Sequence, residues 1–228
     1  MEKIKLFEKY NLNLTEEKLN KLNIFYSELI FYNNSFNLTA ITEENEVFIK
    51  HFLDSIFPQF LIEKNSSVID IGAGAGFPSL PLKIYRPDLR VTMIDSLNKR
   101  VNFLNEIIKK LELENISAFH ARAEDFAKTN RENFGYAVVR AVAKIPTLIE
   151  YAFPLLKVGG KLLCYKGGDV EEELKQSENA LKILGGVVER VEKFNLEGNS
   201  RTIVLIKKLE HTPSKYPRNK NLPKLKPL

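Results

Sequence analysis

The chain has 228 residues, 44% of them hydrophobic, which suits one domain with a sizeable core and excludes a disordered or fibrous protein. No apolar run reaches the roughly 18 residues that span a bilayer, and the charged start Met1-Glu-Lys-Ile-Lys5 carries no apolar signal region. The lone Cys164 rules out an intrachain disulfide and a cysteine-held zinc, so a cytoplasmic protein with no metal centre is expected, its net charge of +5 gathered in residues 211–228.

Residues 15–33 read as a helix. Thr15 can cap it, Glu16 and Glu17 suit the positive end of its dipole, and Leu19, Leu22, Tyr26, Leu29 and Ile30 share one face. A second helix is expected over 45–57, with Phe48, Ile49, Phe52, Leu53 and Ile56 as its apolar stripe and Pro58 as its end. From residue 67 short apolar runs alternate with helical stretches. Strands are expected at 68–71, 91–95, 116–120, 136–140, 161–165, 187–194 and 202–207. Helices are expected at 78–86, 97–111, 146–157 (closed by Gly159 and Gly160) and 170–184.

This alternation predicts an α/β fold with a parallel sheet covered on both faces. The last two strands have no helix between them, so they pair antiparallel. The expected layout is one domain over 1–210, with a helical N-terminal extension (1–60) and a Rossmann-like core (66–210). Residues 211–228 form a tail holding Lys215, Arg218, Lys220, Lys224 and Lys226 and no acid. Pro213, Pro217, Pro223 and Pro227 forbid a regular helix there, so the tail is expected to be extended or mobile. It can bind a polyanion or simply aid solubility.

The chemistry is concentrated after the first strand, in Asp70-Ile-Gly72-Ala-Gly74-Ala-Gly76-Phe77. Three alternate glycines let the chain turn sharply and let a ligand lie against bare backbone. A dinucleotide loop would carry its third glycine where Phe77 stands. Pro78 and Pro81 also leave the next helix start poor in N–H donors for a pyrophosphate. The D-x-G-x-G-x-G spacing matches the first motif of class I methyltransferases, whose cofactor, S-adenosyl-L-methionine, has no phosphate. Asp95 ends the second strand 19 residues after Gly76, where an acid can accept from both ribose hydroxyls or cap the next helix. Ala123 and Glu124 follow the third strand, where a loop of this fold class borders the adenine.

The fourth strand ends in Val139-Arg140-Ala-Val-Ala143, without the D/N-P-P-aromatic motif of enzymes that methylate exocyclic amines. Cys164 lies inside an apolar strand and reads as core rather than as a cytosine-C5 nucleophile. An atom with a free lone pair, such as guanine N7, needs neither device.

The chain resembles the RsmG, or GidB, family of small-subunit ribosomal RNA guanine-N7 methyltransferases. The resemblance runs over nearly the whole length. It is carried by Asn37-Leu-Thr39, His51-Phe-Leu-Asp-Ser-Ile56, the 70–78 loop and Asp95-Ser-Leu-Asn-Lys-Arg100. It continues through Arg122-Ala-Glu-Asp-Phe126, Arg140-Ala141, Lys166-Gly167, the Arg201 strand and the closing Lys-Pro-Leu228. It implies methylation of a guanosine N7 in the 530 loop of 16S rRNA, in the small subunit or its precursor. It places Gly72 and Phe77 on the cofactor pocket, Ala123 and Glu124 on the adenosine, and Arg140 at the border. Gly74, Gly76 and Asp95 join them on spacing alone.

No catalytic base is expected, because N7 attacks without losing a proton. Lys99, Arg100, Lys166 and Arg201 are candidate RNA contacts, each alternatively a solvated charge. His51 and Asp54 share one helical face, as a surface pair or a substrate-side contact. The protein is expected to act as a monomer. The alternative reading is a ribosome-assembly factor that binds cofactor and RNA without turnover.

Overall fold

Valine- and isoleucine-rich runs, buried almost continuously in the central strands because both faces are covered, form a single seven-stranded sheet. The computed structural model describes residues 2–219 and 221–228. The strands are β1 (Ser67–Ile71), β2 (Arg90–Asp95), β3 (Ile116–His120), β4 (Phe134–Arg140), β5 (Leu156–Lys166), β6 (Gly186–Leu196) and β7 (Asn199–Lys208). Their order is β3-β2-β1-β4-β5-β7-β6, and only β7 runs against the rest. The chain moves outward from β1 to β3 and then returns to β4 on the other side of β1. That reversal opens a crevice at the C-terminal ends of β1 and β4, where open α/β sheets bind ligands.

Alternation along the strands feeds two cores. Val68, Val138, Leu163 and Leu205 face α1 (Glu2–Glu8), α2 (Glu16–Asn33), α5 (Ser79–Tyr85) and α6 (Asn98–Lys110). Ile69, Val139, Cys164 and Val204 face α7 (Ala123–Thr129), α8 (Ile145–Ala152), α9 (Glu171–Gln176) and α10 (Glu178–Leu184). Cys164 is fully buried, and burial pushes its thiol up to about 12, so it is core. Thr15 caps α2 through the Lys18 amide, and Phe25 of that helix packs 5.4 Å from Phe52 and 5.5 Å from Phe77. These rings weld the N-terminal helices to the sheet.

Several expectations are corrected. The helix expected over 45–57 is composite. Short α3 (Glu44–Val47) leads into a π-helical segment, Phe48–Leu53, then α4 (Asp54–Ile56) and a 3-10 turn, Phe57–Leu61, that runs past Pro58. Proline is tolerated there because it falls in the first turn of the 3-10 segment. Gly159 and Gly160 do not close a helix, because α8 ends at Ala152 and both glycines lie inside β5. A Cβ on Gly160 would stand 3.0 Å from the Gly135 carbonyl oxygen, so the glycine serves close strand approach at a register shift. The helix expected over 170–184 breaks at the buried Ser177, whose hydroxyl donates back to the Glu173 carbonyl, at 2.6 Å.

The tail is neither extended nor free. Tyr216, Thr212 and Pro223 are buried, and Arg131 donates to the Tyr216 and Thr212 carbonyls, each at 2.7 Å. Arg218 meets the fully buried Glu150 through Nη2 at 2.7 Å, Nε at 2.9 Å and its own amide at 2.8 Å. A short α11 (Leu222–Leu225) forms with Pro223 in its first turn, the one helical place proline fits. Lys220 lies outside the described residues. Among the described residues no helix is long and apolar enough to cross a membrane. At one sheet edge β6 exposes Val187 and Val191 and carries Glu189, Arg190, Glu192 and Lys193, with a register shift between Val188 and Arg190.

Candidate active site

The glycine loop leaves β1 and is tied at once to β2, because the Gly72 and Ala73 amides both donate to the Ile94 carbonyl, at 2.8 and 3.1 Å. Gly72 has φ +76, and a Cβ there would sit 2.7 Å from Val142 Cγ2, so both conformation and space require glycine. Asp95 holds the loop from the other side. Its Oδ2 accepts from the Gly74 amide at 2.9 Å, and its Oδ1 accepts from the Leu97 amide at the start of α6, also at 2.9 Å. Arg100 stands 3.5 Å from Oδ2. One carboxylate thus fixes two elements and still faces a cavity.

That cavity, of about 280 Å³, is lined by Gly72, Asp95, Ala123 and Glu124 among the expected residues, together with Val142 and Tyr151. Gly74 supports it through Asp95. Gly76 and Phe77 do not line it: Gly76 packs under Leu80, and Phe77 stacks against His51 and Arg140 between the two cavities. Glu124 is buried with Oε1 lacking a partner. Both oxygens of the fully buried Asp70 are also unpartnered. Burial pushes Asp70 up to about 7, only partly opposed by the nearby Ser79 hydroxyl and amide.

A second cavity, of about 290 Å³, shares the end of β4 as a wall with the first. Arg140 and Ala141 face the second, Val142 and Ala143 the first. Ala141 takes φ +57, a left-handed conformation that a side chain disfavours. Arg140 Nη1 donates to Asp54 Oδ2 at 3.0 Å, and Arg201 Nε donates to Asp54 Oδ1 at 3.0 Å. Arg140 Nη2 donates to His51 Nδ1, so the imidazole proton sits on Nε2 and is directed to Thr39 Oγ1 at 2.8 Å. Burial, then the Arg140 charge, push His51 down to about 3, and it is neutral. Burial raises Asp54, while Arg140 and Arg201 pull it back. Phe77 lies between the sites, its ring stacked 4.4 Å from His51 and 5.1 Å from the Arg140 guanidinium carbon.

His51 and Asp54 are therefore a buried pair on the wall of the second cavity rather than a surface one. Lys166 lines the second cavity, but its ammonium is engaged, donating to the Ala143 carbonyl at 2.9 Å and to Glu173 at 2.7 Å. Arg201 lines the same cavity, whereas Lys99 is exposed above Phe36, 5.7 Å from the ring centre. Val142 and Tyr151 also line the first cavity, and nothing local in the sequence marks either of them.

A sheet of this order, with a glycine loop and a ribose-type acid at its reversal point, defines the Rossmann-like class I methyltransferases. The structure of M. jannaschii TYW2 in complex with AdoMet matches it with a TM-score of 0.57 at 16% identity, over 75% of this chain and 80% of that one. The protein is an S-adenosylmethionine-dependent methyltransferase. Residues 18–204 match the family rRNA small subunit methyltransferase G. The ribosomal RNA small subunit methyltransferase G of Desulforamulus reducens is 47% identical over 222 residues, covering 95% of this chain and 92% of that one. Its namesake from Streptococcus pyogenes serotype M1 is 46% identical over 227 residues, covering 97% and 96%. The chain belongs to this family.

The residues present fit the cofactor. S-adenosylmethionine offers an ammonium, two ribose hydroxyls and an adenine amino group as donors. The unpartnered Oε1 of Glu124, with the Asp95 carboxylate, supplies acceptors on the wall of one cavity, and acidic groups there suit a cationic sulfonium.

Proposed function

We propose that the chain methylates N7 of a guanosine in the 530 loop of 16S rRNA, with Asp95 at the ribose, Glu124 and the Ala123 backbone at the adenine, and Gly72 under the methionine part. When bound, S-adenosylmethionine supplies an electrophilic methyl group on sulfur. One observation carries the choice of N7: the described residues lining the second cavity, where the base would enter, hold no unengaged base. His51 is the one imidazole there, and both of its ring nitrogens are engaged. Cys164 is buried away from both cavities. A nucleophile that must lose a proton, or that needs a thiol partner, finds no help. N7 needs none, because its lone pair is already free.

The residues then act by placement. Asp54 and His51 hold Arg140 at the shared wall, so the base entering the second cavity meets a fixed guanidinium. A base in a loop can be extruded into such a cavity, whereas one in an A-form major groove cannot be reached. Arg201 borders that route, and Lys99 and Arg100 are further contacts to the RNA backbone, whereas Lys166 is held by Glu173 and the Ala143 carbonyl. The partner is the small subunit or its precursor, and the enzyme works as a cytoplasmic monomer. On this reading residues 1–210 form the methyltransferase domain.

The test is methyl transfer from labelled S-adenosylmethionine to small-subunit RNA, naked and in particles, with the product mapped by mass spectrometry. A single 7-methylguanosine in the 530 loop is expected. A methyl group elsewhere removes the N7 assignment. Normal cofactor binding with no methyl on any RNA form leaves the non-catalytic assembly factor in its place.

A further inference from the structure

We propose that the C-terminal segment is a wall of the cofactor cavity, and that Asn221 and Lys224 hold the adenine nucleoside so that cofactor binding and tail docking reinforce each other. The inference rests on the reading that the first cavity takes S-adenosylmethionine.

Asn221 and Lys224 line the same cavity as Gly72, Asp95 and Glu124, although more than 90 residues of chain separate them from Glu124. They are held there by α8. Glu150 of that helix anchors Arg218, and the Thr147 hydroxyl donates to the Pro223 carbonyl at 2.9 Å. The Tyr151 hydroxyl, itself on the cavity wall, donates to Asn221 Oδ1 at 3.4 Å. Asn221 takes φ +60, one of the few conformations where asparagine replaces glycine readily. Arg218 Nη2 also donates to the Lys226 carbonyl, at 2.8 Å, which closes the segment on itself. One short helix therefore presents the tail latch and the cavity wall together.

The chemistry of the lining points to the nucleoside. Adenine has one amino group that donates and ring nitrogens that only accept. Glu124 Oε1 is buried and unpartnered, an acceptor for the amino group. The ring nitrogens need donors, and the tail adds two beside Glu124: the Asn221 amide nitrogen and the Lys224 ammonium, which makes no ion pair among the described residues. A ligand that touches the docked tail stabilises the docked state, and the docked tail raises the affinity by the same factor.

The experiment uses the full chain with S-adenosylhomocysteine and 5′-methylthioadenosine as probes, read by calorimetric dissociation constants and by amide hydrogen exchange. Lys224→Ala removes an exposed side chain and is expected to weaken both probes by about tenfold, the loss of one charge-assisted hydrogen bond. Asn221→Gly keeps the left-handed backbone and is expected to weaken both. In the unaltered protein either probe is expected to slow exchange at 222–228. Arg218→Ala is expected to abolish that protection. Unchanged dissociation constants in Lys224→Ala and Asn221→Gly overturn the proposal, as does tail exchange indifferent to ligand. Weakening confined to S-adenosylhomocysteine also overturns it, because the contact would then be to the amino-acid part. A wild-type chain that binds neither probe instead removes the reading of the cavity on which the proposal rests.

Discussion

Asp70 is a carboxyl group sealed beneath the glycine loop, with the Ser79 hydroxyl and amide close enough to offset its burial only in part. Its ordinary value is 3.8, and burial lifts it to about 7 in the fold. Between these values the folded chain holds a proton that the unfolded chain has released, so stability from this group falls as pH rises from about 4 to about 7, then levels. Asp70→Asn is expected to remove that slope and to raise the melting temperature relative to wild type at pH 8, by roughly 4–8 °C per kcal/mol in a small domain and less in one this size. Melting curves from pH 4 to 8 check it; the same slope in the wild type and in Asp70→Asn would refute the assignment. The motif around Asp70 was legible from sequence because it is local: a turn, a close approach and an acid within eight residues. The His51–Arg140–Asp54–Arg201 cluster was not, because its partners lie 86 to 147 residues apart. Arg140, Arg201 and the His51–Asp54 pair were each marked separately, but nothing in the sequence joined them until the sheet brought β4 and β7 beside the segment that carries His51 and Asp54.

At the scale of elements, periodicity located the strands and most helices but not their irregularities. A π-helical turn carries the same apolar stripe as an α-helix, so Phe48–Leu53 could not be told apart by pattern. A glycine pair fits a helix end or a crowded strand equally well locally, and the carbonyl of Gly135 decides between them. The tail was misjudged for a related reason: its prolines and lysines describe a chain that cannot fold alone, while its anchor, Glu150, is on α8. That anchor gives an asymmetric expectation. Arg218→Ala leaves a fully buried carboxylate unpaired, a loss of about 3 kcal/mol or more. Glu150→Ala leaves an arginine that can swing to water, and it should cost less. Urea unfolding of the two variants checks the order, and equal losses would mean that the latch is not a buried ion pair in solution.

At the scale of the molecule, the formal excess of positive charge overstates what is free to meet RNA. Arg218 is engaged by Glu150, Lys208 by Glu132, and Lys166 by Glu173. Lys99 has no such acid among the described residues, and its charge stands on the surface in the first turn of α6, the helix that follows β2 and Asp95. Lys99→Ala is expected to weaken RNA binding and to make the slope of log affinity against log salt shallower by roughly 0.7 to 0.9, the share of one phosphate. Filter binding across a salt series, with the cofactor dissociation constant as control, measures it. An unchanged slope would take Lys99 out of the RNA path.

The border of the sheet at β6 has a consequence for how the protein behaves when crowded. Its outer rail mixes acids and bases with two exposed valines, and the ladder is interrupted between Val188 and Arg190. A second chain adding itself as an eighth strand would have to strip water from those charges and pair across the interruption. Fibre growth by edge-to-edge stacking is thereby discouraged at its first step, and concentrated solutions of the native protein should stay clear where a flat apolar border would gel.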